Sequence, residues 1–460
     1  MEGGKKAPEK VSIIHRDWTQ GSIMRNLLLL SWPMVLMETL YVISQVVDMI
    51  WVGRLGPSAI AGMGIANIVI MVVMAMDLGI IVGVRAMIAR CIGAGDLPGA
   101  NHVAAQGIII SVIWAALIMI IGVALTDLIM ALFGMEADVF RQGIAYMRIM
   151  FAGWIALDLM VMGLYMMQSS GDSVTPMAIE GVIRVVHVTL CPFLVLGLWV
   201  FPHMGVSGAA ISNVVSQGLG TIIVLTMLFS GRTRLRITWR DFSIDLPIMW
   251  RILKIGIPAL VMNVQRSFGN LLVTWLVAPF GTVAVAAHSL TVRVQMFIFL
   301  PGVGLGMGAG VLVGQNLGAQ QPHRAERSGW LATVYVEAMM ILCSVALLFW
   351  AEQVIGVFTS DPELVAMGSS FLRIAAYGFM VIGFMSVLQN CIAGAGDTVP
   401  NMIISIAQIW AVLLPLAFVL SRYTSLDVYG ILWAMVASTA AGSLAYIWYF
   451  MTGRWKLKKV

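Results

Sequence analysis

Apolar residues run along this chain in twelve blocks, each long enough at about 1.5 Å per residue to cross roughly 30 Å of hydrocarbon as a helix. The blocks fall near 27–52, 59–84, 102–126, 142–168, 177–201 and 205–230, then near 250–278, 284–312, 328–350, 366–392, 402–420 and 429–452. Short polar breaks separate them, apart from a longer basic stretch over 231–249. Uninterrupted runs of this length predict membrane-spanning helices, because a span must satisfy its backbone polar groups internally. The first run is too long for the core of a signal peptide and is read as a retained span.

The second six blocks repeat the first at one offset. Trp32-Pro33 is answered 225 residues later by Ile257-Pro258, and Gly79 and Gly83 by Gly304 and Gly308. In the same register, Arg90-Cys91-Ile92-Gly93-Ala94 is answered by Gln315-Asn316-Leu317-Gly318-Ala319, and Gly171-Asp172-Ser173-Val174 by Gly396-Asp397-Thr398-Val399. An even number of crossings per repeat brings both halves in from one side, so the repeat is parallel, about an axis along the membrane normal. The expected fold is all-α and integral to the membrane, with twelve transmembrane helices in two six-helix bundles. The first lobe is expected over 1–235 and the second over 236–460, joined by the linker at about 231–249. Pro33, Pro192, Pro258, Pro301 and Pro415 lie inside blocks and predict kinks.

Composition agrees with the blocks: 60% of residues are hydrophobic and 11% charged, which excludes a water-soluble core. Charge then sets orientation. With both termini inside, nineteen Lys and Arg fall on inner segments, among them Lys5, Lys6, Lys10, Arg85, Arg90, Arg251, Lys254, Lys458 and Lys459; the outer loops hold only Arg54, Arg141 and Arg422. The positive-inside rule therefore places both termini in the cytoplasm. The net charge of +5 reads as topogenic and lipid-facing, and no nucleic-acid partner is expected. Cys91, Cys191, Cys343 and Cys391 follow neither disulfide nor metal-ligand spacing, so no metal and no cofactor are expected.

Two polar stripes interrupt the apolar runs. Glu38, Tyr41, Gln45 and Asp48 share one face of the first span, and Glu180, Arg184, His187 and Cys191 one face of the fifth. Asp77 and Asp158 add acids to the second and fourth. Ionisable groups inside a span are costly and mark ion or substrate pathways by default; the alternative is that they pair only to hold helices together. The repeat offers a control. Adding 225 turns the first stripe into Asn263, Arg266, Asn270 and Val273, Asp77 into Gly302, Asp158 into Gly383, Arg184 into Ile409 and His187 into Val412. Acids with a purely architectural role would recur in both halves, and these do not. Ion coupling is accordingly expected in the first half, at Asp48, His187, Arg184 and Asp158. The substrate cavity is expected to draw on Glu38, Tyr41 and Gln45 from the first half and on Asn263, Arg266, Asn270 and His288 from the second. The 34 methionines would suit a cavity that accepts many shapes, although packing Met is the commoner reading.

The stretches Val47-Asp48-Met49-Ile50-Trp51-Val52-Gly53-Arg54-Leu55-Gly56, Gly171-Asp172-Ser173-Val174-Thr175-Pro176-Met177, Ala286-Ala287-His288, Gly314-Gln315-Asn316-Leu317-Gly318-Ala319 and Gly394-Ala395-Gly396-Asp397-Thr398 resemble, in order and together, the multidrug and toxic compound extrusion (MATE) family over residues 25–450. The resemblance implies a V of two six-helix lobes around a central cavity. It also implies export of small amphiphilic, often cationic, compounds from a prokaryotic cell across its plasma membrane, in exchange for H⁺ or Na⁺. Asp48 matches the family's coupling acid on the first helix. Many relatives carry two Asn and an Asp ahead of the proline of the fifth helix, where this chain has Arg184, His187 and Cys191 before Pro192. Sodium-driven members carry acids on the seventh and tenth helices; here Arg266 stands near the first such position, and 366–392 holds no acid. A hard cation needs several oxygen ligands, so these departures favour H⁺. A monomer in contact with membrane lipids is expected. Two rival readings remain: a flippase for a lipid-linked intermediate, for which Arg184, Arg266 and Arg293 would supply a cationic cavity, and a membrane-embedded enzyme, for which no nucleophile with its base is visible.

Overall fold

The computed structural model describes residues 16–460; Lys5, Lys6 and Lys10 of the orientation argument lie outside the described residues. The first repeat forms α1 (Ile23–Gly53), α2 (Pro57–Gly93), α3 (Leu97–Ala131), α4 (Ala137–Ala152), α5 (Trp154–Ser170), α6 (Val174–Leu196) and α7 (Val206–Ser230). The second forms α8 (Leu246–Val277), α9 (Thr282–Gly318), α10 (Pro322–Gly356), α11 (Pro362–Gly394), α12 (Thr398–Ile406), α13 (Leu414–Tyr423) and α14 (Asp427–Met451). Among the described residues eleven helices are long and apolar enough to span a membrane, counting α12 to α13 as one, and the bent pair α4–α5 completes twelve.

The helix breaks fall away from most of the prolines. α1, α6, α8 and α9 each run as one helix through Pro33, Pro192, Pro258 and Pro301. The fourth span instead bends by 54° between α4 and α5, at Gly153, where a Cβ would stand 2.5 Å from the Val214 side chain of α7. Close packing against α7 sets that bend, and the continuous apolar run of the sequence hides it. Pro415 alone coincides with a break. A π-helical stretch over Ala407–Leu413 precedes it and widens the turn where the ring removes a backbone donor.

Within the first set, α1 packs on α6, α2 on α4, α3 on α5 and α7 on both α5 and α6; within the second, α9, α10 and α11 pack together, α11 on α14 and α8 on α12. The two sets meet where α2 faces α8 and α9, and where α1 faces α9. This seam is two-fold symmetric to the residue. A Cβ on Gly93 would run into the Gln315 carbonyl oxygen, and one on Gly318 into that of Arg90. Gly79 lies against Leu260 as Gly304 lies against Val35, and Ala89 meets its own repeat image, Gly314. Each pair maps onto the other by the offset of 225, so the glycines of the repeat serve close helix approach. The first helix of each repeat also crosses the seam. Leu27 and Leu30 of α1 are buried in the core of the second bundle, and their images Ile252 and Ile255 of α8 in the core of the first. All these contacts lie at the end of the molecule that carries the start of α1 and the end of α2.

Between α7 and α8 the chain makes a short 3₁₀ turn, Trp239–Phe242, whose rings pack on Phe229. Asp245 then caps α8 by accepting from the Ile248 amide at 3.1 Å. That amide, helped by His102 at 3.3 Å, holds the Asp245 carboxyl below its usual range.

Candidate functional site

The second half of α1 lies along α6, and the two polar stripes meet there. Ser44 Oγ is 2.7 Å from His187 Nδ1, which turns the other ring nitrogen toward Asp48. His187 Nε2 stands 3.2 Å from Asp48 Oδ1, close enough for charge pairing but outside hydrogen-bond alignment. The Cys191 thiol, one helical turn further along α6, donates to the same oxygen at 3.4 Å. Asp48, His187 and Cys191 are all buried, and Asp48 forms part of the wall of a cavity of about 350 Å³ shared with Tyr41, Gln45, Met71, Met74 and Arg293.

Arg184 is not the partner of Asp48. Its guanidinium is taken up by Glu180, at 2.7 Å from Nε and 2.6 Å from Nη2, and lies 5.0 Å above the Tyr41 ring. Spacing explains this: Glu180 is four residues away on the same helix, within reach of a side-chain pair, whereas Asp48 must be reached from another.

Glu38 faces a different cavity. That space, about 420 Å³, lies between the lobes and takes in Arg85, Tyr165, Asn263, Arg266 and Gln389. Arg266 donates to Gln389 Oε1 at 2.9 Å. Arg85 lies 5.0 Å over the Tyr165 ring, with its Nε unpartnered. The second bundle contributes no carboxylate to this lining. Asn270, expected in the cavity, is exposed and lines neither space. His288 is buried in a third, smaller cavity of about 110 Å³ with Thr291, Phe299 and Phe379. Asp158, expected to take part in coupling, lines none of the three. It accepts from Ser111, while nearby Asp77 accepts from the Trp114 and Trp154 indoles at 2.6 and 3.1 Å. Leu157 takes the cavity-facing position, and the next residue turns about 100° around the helix.

The cysteines follow no ligand spacing along the chain, yet the fold brings candidate ligands together in space. Asp48 comes from a distant helix, and one ligand atom each from Asp48, His187 and Cys191 lie within 4.8 Å of one another. An oxygen, a nitrogen and a sulfur together could hold a borderline cation such as zinc and suit Na⁺ poorly. Sequence reasoning also missed Arg85, which it counted as an inner topogenic charge, together with Tyr165 and Ser44. Arg85 could have been suspected from its register, since its repeat image is Gly310.

The pattern described as MatE matches the chain twice, over residues 33–193 and 258–419, the same offset as the internal repeat. A probable multidrug resistance protein NorM of Thermotoga maritima is 25% identical over 95% of this chain and 94% of its own length. A probable multidrug resistance protein YoeA of Bacillus subtilis is 26% identical over 97% of both. Among solved structures, a MOP superfamily transporter from Pyrococcus furiosus, described as having a binding pocket of reverse polarity, superposes with a TM-score of 0.90 at 24% identity, over 96% of this chain and 98% of its own. An outward-facing multidrug resistance MATE family transporter gives 0.89 at 24% identity, over 97% and 98%. The chain is a multi-pass membrane protein of the multidrug and toxic compound extrusion (MATE) family.

Proposed function

We propose that the protein exports small amphiphilic compounds from the cell by alternating access, driven by protons that load at Asp48. With the termini cytoplasmic, as the basic residues argue, the glycine seam closes the inner side and the Asp48 cavity belongs to the outer half. A carboxylate buried there beside His187 changes its bonding when a proton arrives. Protonation turns the acid from an acceptor into a donor, its contacts with His187 Nε2 and the Cys191 thiol rearrange, the packing of α1 on α6 changes near Pro192, and the cavity wall shifts. Exchange requires only that proton and substrate favour different states of that wall. One observation carries this reading: Asp48 is buried, faces a cavity and stands 3.2 Å from His187, while its repeat image is Val273.

Everted membrane vesicles test it. Substrate should accumulate when the lumen is acid, stop when the pH gradient is collapsed, and continue when Na⁺ is replaced by K⁺. A requirement for Na⁺ at a fixed pH gradient would refute proton coupling.

A second reading has its own support. Arg85 and Arg266 line the inter-lobe cavity, which suits an anionic amphiphile, and a relative from Shewanella oneidensis, 23% identical over 80% of this chain and 82% of its own length, is described as an FAD transporter. A flippase for an anionic lipid-linked intermediate would use the same lobes. Its signature is movement of a labelled anionic lipid between leaflets of reconstituted vesicles, with no accumulation of soluble amphiphiles.

A further inference from the structure

At the end of the second bundle that carries the last residues of the chain, a cavity of about 460 Å³ opens between those residues, the start of α8 and the start of α12. Four cations line it: Arg251 and Lys254 on one face of α8, and Lys458 and Lys459 on the terminal segment. Lys458 is spent on Asp397, at 3.1 Å, and the other oxygen of Asp397 accepts from the Tyr449 hydroxyl. Among the described residues Arg251, Lys254 and Lys459 make no direct ion pair, the Asp245 carboxylate at the start of α8 acting on Arg251 only from a distance. Like charges gathered in one recess repel, and they call for a counter-anion.

The surroundings say what kind. Trp250 and Ile257 lie one turn to either side of Lys254 on α8, Val399 and Ile403 continue from the recess along α12, and all four are exposed. Thr398 Oγ donates to the Ile255 carbonyl at 2.6 Å and pins the two helices side by side. A charged recess thus opens onto apolar flanks in the membrane, the arrangement that fits a phosphate headgroup followed by acyl chains.

The repeat supplies a control here too. Subtracting 225 turns Arg251 and Lys254 into Asn26 and Leu29, and Gly396 into Gly171. In the first bundle the corresponding space is filled by the chain itself. Trp18 is buried there, donating from its indole to the Gly171 carbonyl at 3.0 Å. Asn26 is used up holding that segment, at 3.1 Å from the Trp18 carbonyl and 2.7 Å from that of Gln20. In the second bundle the Val460 side chain takes the place beside Gly396 and leaves the cationic recess open.

We infer that this recess is a binding site for an anionic phospholipid, with Arg251, Lys254 and Lys459 on the phosphate and the α8–α12 flank along the acyl chains. The recess shares no lining residue with the Asp48 cavity and touches the inter-lobe cavity only at Thr398, which lines both. It is tested on the full-length protein purified in detergent, by adding phosphatidylglycerol, phosphatidylcholine or inorganic phosphate and reading lipid retention by mass spectrometry of the intact protein alongside thermal unfolding. Phosphatidylglycerol should be retained and raise the unfolding temperature; phosphatidylcholine and phosphate should do neither. The double variant Arg251→Gln/Lys254→Gln should weaken retention by roughly twenty-fivefold, about fivefold for each cation lost near a membrane surface. If that variant folds poorly, Lys459→Gln, on the terminal segment, should weaken it by about fivefold and Lys254→Arg should preserve it. Equal retention of the two lipids, wild-type retention in the double variant, or a full thermal shift with phosphate alone would each overturn the assignment.

Discussion

At the seam, the pair Gly93 and Gln315 has its image in Gly318 and Arg90, and Leu27 buried in the far core has its image in Ile252. At Asp48 there is no such correspondence. The images of Asp48, His187 and Cys191 are Val273, Val412 and Leu416, and Val273 and Leu416 belong to an apolar cluster with Phe371 and Ala417. One corner of the first lobe carries a buried acid, an imidazole and a thiol where the same corner of the second is packed hydrocarbon. Helix approach constrains both halves alike, because each seam contact requires its mirror. Nothing requires the outer corners to match, so chemistry can settle in one lobe while the other supplies shape. The pattern of change along the repeat thereby narrows the search for a site without reference to any other sequence, although Asp77, whose image is Gly302, also changes and ties helices together.

The sharpest test of the comparison is Asp48→Asn, which keeps the shape and removes the charge. Gradient-driven uptake into everted vesicles should fall to background while the protein remains in the membrane at normal abundance. Placing the acid in the other lobe, as Asp48→Asn combined with Val273→Asp, should not restore transport, since no imidazole waits there. Recovery in the double variant would make the lobes chemically interchangeable and dissolve the distinction.

The seam should respond in the opposite manner, symmetrically. Gly93→Ala and Gly318→Ala each push a methyl into a carbonyl oxygen across the interface, a form of overpacking that costs about 1–3 kcal/mol, and both should lower thermal stability by the same amount. Gly218→Ala in α7 meets nothing within 4 Å and should stabilise by about 0.5–1 kcal/mol. Unequal effects at Gly93 and Gly318 would show that the seam is less symmetric in solution than its contacts indicate.

Asp77 separates a buried acid that holds helices from one that couples ions. It ties α2 to α3 and α5 through two indoles, and Asp77→Leu would leave both N–H groups unsatisfied at a cost of about 1–3 kcal/mol each. Unfolding should come earlier, while the pH dependence of the remaining transport stays as in the wild type. A displaced pH profile would bring Asp77 and Asp158 back into the coupling machinery.

Much of this was legible in the chain because hydropathy and the offset of 225 report directly on spans and on the seam. The glycines repeat because a two-fold interface needs each of them twice. The bend at Gly153 was not legible, since it depends on Val214 in another helix and leaves the apolar run unbroken. Helical periodicity put Glu38 and Asp48 on one face, yet ten residues of helix rise about 15 Å, and the two line separate cavities. Arg184 shares its stripe with Glu180, four residues before it, and that nearer carboxylate takes the guanidinium. The meeting of Cys191 with Asp48 joins positions 143 residues apart, and no spacing rule within one helix could announce it.

The smallest effects should come from removing one polar group on each side of the divide. His187→Ala takes away the group facing Asp48 and leaves Ser44 without its partner. Transport should persist at reduced rate with its pH profile displaced, because the acid then loads its proton without the imidazole that faces it. Asn263→Ala removes an amide from the inter-lobe cavity, far from any group expected to load a proton. Lost polar contact with a substrate is worth about 0.5–1.5 kcal/mol, so apparent affinity should weaken by roughly two- to twelvefold at unchanged maximal rate and pH profile. Measuring uptake across pH and substrate concentration in both variants distinguishes the two roles. If Asn263→Ala moves the pH profile, or His187→Ala changes only affinity, coupling extends across both lobes and the first does not hold it alone.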